Sequence, residues 1–108
     1  MSSLLDVVRD DGDFQEAASR AGFDMAEAAC CIEAGKQDGD YAETSLVALL
    51  EMKDGRFAVL TGWCDTTGWG CQDGADVSYE SSESAARAHL ADSDKLLLAN
   101  CPVMLPSA

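Results

Sequence analysis

The hydrophobic pattern changes period along the chain. Ser3 precedes Leu4, Leu5, Val7 and Val8, which predicts a short helix over residues 3–10 with Ser3 as its cap and Asp11-Gly12 as its break. Asp13-Phe14-Gln15-Glu16 has the form of a capping box and predicts a helix over 14–21 that ends at Gly22 in the left-handed conformation. Asp24-Met25-Ala26-Glu27 repeats the start signal, so a third helix is expected to run to Ala34, before Gly35. Lys36-Gln37-Asp38-Gly39-Asp40 is a polar link, and after it the pattern becomes extended. Thr44 to Met52 is dense in Val and Leu, Asp54-Gly55 is a hairpin turn signal, and Phe57 to Cys64 forms the return strand. That strand places Phe57, Val59, Thr61 and Trp63 on one face and Ala58, Leu60 and Gly62 on the other. Neither face is polar, so the hairpin is expected to be covered on both sides or to keep one apolar face for a partner.

Gln72-Asp73-Gly74 reads as a turn and Ala75 to Glu80 as a third strand. Ser81 or Ser82 caps a helix through Leu90, Asp92-Ser93-Asp94 restarts a helical turn, and Cys101 to Ala108 is a proline-bounded apolar tail. The expected fold is therefore α+β. A three-stranded antiparallel sheet over about residues 44–80 packs with N-terminal helices and a C-terminal helix. The 108 residues suit a single domain, with a helical part over 1–35, the sheet over 44–80, and a helix and tail over 81–108.

The chemistry is densest in Gly62-Trp63-Cys64-Asp65-Thr66-Thr67-Gly68-Trp69-Gly70-Cys71-Gln72, which holds both tryptophans and two of the five cysteines. Asp65 followed by two threonines suits an Asx-type turn with backbone N–H groups. Trp63, at a strand end, is expected in the core. Trp69 lies between glycines, either as an interface anchor or as a lid folded back on the sheet.

Charge narrows the partners. Twenty acidic against seven basic residues give a net charge of −13, a field that repels phosphate backbones and anionic membranes and attracts cationic surfaces. Acidity also serves solubility alone. Phe14 to Ala34 has the small and apolar positions of a helix-turn-helix, but Met25 to Ala34 contains no cation to read or hold DNA, so helix packing explains it better. No stretch approaches the roughly 18 apolar residues of a membrane helix, and no basic region precedes an apolar run at the start, so a cytoplasmic chain with reduced cysteines is expected.

The cysteine spacings are not those of a zinc knuckle or a redox pair, and zinc at Cys64 and Cys71 would need Cys30, Cys31 or His89 from distant segments. His89 is the single histidine and lies in an alanine-rich segment, so no activating base for a cysteine is evident. No cofactor and no metal are expected.

The string from Gly62 to Gln72, preceded by Asp54-Gly55-Arg56-Phe57 and an apolar strand, resembles a motif of small uncharacterised bacteriophage and actinobacterial proteins. The resemblance covers residues 46–80 and implies a phage or mobile-element setting. Together with the charge it leads to an expected function: an acidic, non-enzymatic protein-binding module that inhibits a host nucleic-acid-binding defence complex. This would be an anti-CRISPR or anti-restriction role played as a DNA mimic. The expected contact residues are Trp69, Asp65, Asp73, Asp76 and Glu80, and the expected partner is a host protein with a basic surface, with no direct nucleic acid and no membrane. The alternatives are a phage structural or accessory protein and, behind it, a cysteine-based metal or redox site.

Overall fold

The computed structural model describes residues 3–38, 44–65 and 72–104. Ser3 caps helix α1 (Leu4–Asp10) by accepting from the Asp6 N–H, while the Asp6 carboxylate returns to the Ser3 N–H at 3.1 Å. Helix α2 (Gly12–Ala21) begins before the position the capping-box pattern marks. Its cap is Asp11, whose Oδ1 accepts from the N–H groups of Asp13 and Phe14 at 2.8 and 3.3 Å. One residue thus ends α1 and starts α2. Gly22 closes α2 at φ 72°, as predicted.

The third helix does not form, and the N-terminal part is not wholly helical. Asp24 caps a single 3₁₀ turn (Met25–Glu27), and the chain then enters strand β1 (Ala28–Asp38). The sheet therefore has four strands rather than three: β1, β2 (Thr44–Met52), β3 (Phe57–Asp65) and β4 (Gln72–Glu80), all antiparallel, in the order β1-β2-β3-β4. The difference from the expected helix has a local cause. β1 pairs with β2 through two register shifts, between Ala28 and Cys30 and between Cys31 and Glu33. Each irregularity inserts an extra residue on one strand. The inward positions become Ala28, Cys31 and Ala34, three residues apart, which imitates the spacing of a helix face. The polar link also shortens, because Lys36 to Asp38 are ladder residues, while residues 39–43 lie outside the described residues. Similarly, Gln72 to Gly74 are part of β4 instead of a turn.

Strands β2 and β3 match the predicted hairpin, with Gly55 at φ 90° in the turn. Leu46 to Leu50 are all buried, so β2 is apolar on both faces and helices cover both. On one face α1 and α2 bring Val8, Phe14 and Ala17 into a core with Leu46, Ala48, Leu50, Ala58 and Leu60. On the other, helices α3 (Glu83–Ala88) and α4 (Asp92–Asn100) set Ala86, Leu90 and Leu97 against Val47, Leu49 and Val59. Ser82 caps α3. The tail docks on the outer edge of β1, where Lys36 N–H donates to Cys101 O at 3.0 Å and Val103 N–H to Ala34 O at 2.8 Å. None of the described helices is long and apolar enough to cross a membrane.

The adjacent free cysteines of β1 differ sharply. Cys30 is exposed, whereas Cys31 is buried, donates to Glu33 O at 3.4 Å, and has its thiol pushed up to about 12, first by burial and then by Cys30 and Glu33. Alkylation with iodoacetamide at pH 8 is expected to label Cys30 and spare Cys31, read by peptide mass mapping. Equal labelling of the two would contradict the burial of Cys31. The unfolded thiol ionises near its usual 9.0, so the folded state keeps a proton that the unfolded state loses, and stability falls as pH rises from about 9 to about 12.

Candidate functional site

The two strands that flank the dense motif meet in register at Trp63–Gly74, Cys64–Asp73 and Asp65–Gln72. Trp63 is 50% exposed, which corrects its expected place in the core. Its indole lies over Gly74: a Cβ there would come within 2.7 Å of Nε1 and 2.9 Å of Cε2. The ring covers the bare glycine of the neighbouring strand. Gly74→Ala is therefore expected to push the indole outward at a cost of about 1 kcal/mol. In a Trp69→Phe background, where Trp63 is the remaining tryptophan, its emission should shift to the red and quench more readily with acrylamide. Unchanged emission would contradict the stacking.

On the α2 side of this junction a pocket of about 180 Å³ is lined by residues of α2, β2, β3 and β4, among them Asp13, Glu16, Arg20, Cys64 and Asp73. The α2 helix approaches closely because Gly62 lacks a side chain, and a Cβ there would lie 2.8 Å from the Ala17 methyl. Arg20 bridges the pocket, donating to Glu16 at 2.6 Å and to Asp73 at 2.5 Å. These contacts, the Glu16 hydrogen bond first, raise its already high pKa. The guanidinium is thus neutralised by two carboxylates, and among the described residues the pocket lining presents no unmatched cation to an anion.

The opposite face carries a second depression, lined by Thr61, Asp76, Ser78, His89 and Asp94. His89 Nδ1 is 3.5 Å from the Glu80 carboxylate. Serine, imidazole and carboxylate are the parts of a hydrolytic triad, but the buried Ser78 hydroxyl has no hydrogen-bond partner among the described residues. No base holds its proton here. Among the described residues, no three His, Cys, Asp or Glu side chains are grouped to hold a metal ion.

The pleat divides the acidic residues singled out in the sequence. Asp73 is on the α1/α2 face with Arg20, in line with Ala75 and Val77 of the core and with Tyr79, whose ring is 6.3 Å from Phe23. Asp76 and Glu80 are on the α3/α4 face beside His89. Asp65 is placed by its backbone pairing to Gln72, and Trp69 lies outside the described residues. Arg20 is not among the expected site residues, and His89 enters the sequence reading only as a zinc ligand or a base for a cysteine; both approach β4 from opposite layers, which no local spacing marks. No family model matches the chain, and comparison with curated proteins and with solved structures finds no match.

Proposed function

We propose that this protein is an acidic, non-enzymatic binding module that occupies a basic surface on a partner protein. One observation carries the reading. Of the seven basic residues, Arg9, Arg20, Lys36, Arg56 and Arg87 are each held by carboxylates of the same chain. Lys36 is held by Asp11 and Asp13, and Arg87 by Glu33 and Glu83. Asp10, Asp24, Glu27, Asp38, Glu51, Asp76, Asp92 and Asp94, by contrast, have no ion pair among the described residues. Lys53 and Lys95 are likewise without an ion pair among the described residues, so what remains for a partner is eight carboxylates against two lysines, a predominantly negative surface suited to steering toward a cationic groove.

In the phage setting that the motif resemblance implies, the partner is a host defence complex whose groove normally holds nucleic acid, and the protein acts there as a DNA mimic and inhibitor. Trp69 is the candidate aromatic anchor among Asp65, Asp73, Asp76 and Glu80. The test begins with capture of the partner from host lysate, followed by a challenge with duplex DNA and with RNA. Nucleic acid and the protein are expected to displace one another from the captured partner. A ternary complex in which both stay bound would exclude the mimic.

A further inference from the structure

The outer edge of β4 extends that reading, on which it rests, by specifying the form of the partner. β4 is the last strand of the sheet and pairs with β3 alone among the described residues. None of its residues 73–80 is buried, although Ala58, Val59 and Leu60, which face it across the ladder, all are. The other edge of the sheet differs, because the tail already bonds to β1 at Ala34 and Lys36. On β4 the Val77 N–H donates to the Asp76 carboxylate of its own strand at 3.0 Å. The two-residue period of an antiparallel strand turns the N–H groups of Ala75 and Tyr79 to the same side as that of Val77. A strand with such a row of outward groups is a template for another extended chain.

The charge of the strand selects the occupant. Asp73, Asp76 and Glu80 stand on β4, and the cations that reach it are already committed: Arg20 to Asp73 and Glu16, and Arg56 to Asp54 while it sits 4.4 Å over the Tyr79 ring. A second copy added along this edge would set its own carboxylates beside these, which is unfavourable in a chain of net charge −13. A lysine- or arginine-bearing strand meets the opposite condition. The pleat offers it Asp76 and Glu80 on the α3/α4 face, whereas Asp73 on the other face is already held by Arg20. We propose that the outer edge of β4 accepts an extended basic segment of the partner as a fifth strand, through main-chain hydrogen bonds to Ala75, Tyr79 and Val77, the last released by the Asp76 carboxylate as that group turns with Glu80 to the incoming basic side chains.

The probe is a synthetic peptide alternating lysine and valine, added to the full chain at low salt. Its control carries the same sequence with N-methyl groups on alternate residues, which keep the charge and remove one row of donors. Amide exchange by NMR and the dissociation constant are read together. The unmodified peptide is expected to slow exchange at Ala75, Val77 and Tyr79, and the methylated one to bind at least about tenfold more weakly, as the loss of a few hydrogen bonds requires. Equal binding of the two peptides would overturn strand addition and leave the acidic-module reading standing. Binding of neither would overturn both. Protection of these amides in the chain alone, with dimerisation, would replace the basic partner by a second copy.

Discussion

Phe14→Ala is expected to lower folding stability by about 3–5 kcal/mol, the range for deleting a fully buried phenylalanine. Phe14 is 0% exposed and belongs to the cluster that joins α1 and α2 to the sheet. Its neighbours there are held by the strand ladder and by the Asp11 cap, so they have little freedom to close the cavity. Small domains are stable by about 5–15 kcal/mol in total, so the variant should melt far below the wild type or populate the unfolded state at room temperature. Urea unfolding followed by far-UV circular dichroism measures this. A loss below about 1 kcal/mol would mean that α2 does not pack on the sheet as described.

The second large effect is expected on the opposite face. A Cβ at Gly35 would lie 2.8 Å from the Leu97 carbonyl oxygen and 3.0 Å from its carbon, both backbone atoms of α4. The main chain of a helix cannot turn aside like the end of a side chain. Gly35→Val therefore has to lift α4 from β1, which uncovers Leu97 and strains the Lys36–Cys101 and Val103–Ala34 hydrogen bonds. The expected cost is about 3 kcal/mol, at the upper end for overpacking. Gly12→Ala is the matched control, since nothing lies within 4 Å of a Cβ at that position in the first turn of α2. It is expected to be neutral or to stabilise by about 0.5 kcal/mol. Equal losses in the two variants would contradict the close contact of α4 with β1.

What the sequence made legible was set by how locally each feature is determined. Ser3, Gly22, Asp54-Gly55 and Ser82 act on backbone groups within a few residues of themselves, and each sits where its chemistry indicated. The β2–β3 hairpin was equally plain, because its turn and its apolar strands are contiguous. β1 was hidden for a different reason. Its bulges give Ala28, Cys31 and Ala34 a spacing of three, and its alanines favour a helix until β2 supplies a ladder. The site residues were legible as carboxylates but not as a surface. Asp73 and Asp76 are neighbours in sequence, yet the pleat sends them to opposite layers, and only the packing of α2 brings Arg20 to Asp73. Trp63 looked like a core residue because nothing in its own strand shows that Gly74 lies across from it.

If, as proposed, unpaired acidity steers the protein onto a basic partner, the encounter must depend on salt. The most direct measurement is the association rate constant with the captured partner as ionic strength rises, for the wild type and for Asp76→Asn/Glu80→Gln. Screening shortens from about 10 Å at 0.1 M salt to about 3 Å at 1 M, so association of the wild type should slow by roughly tenfold or more over that range. The double variant should associate more slowly at low salt and converge on the wild type at high salt. Association that is independent of salt, with unchanged affinity in the double variant, would contradict the account.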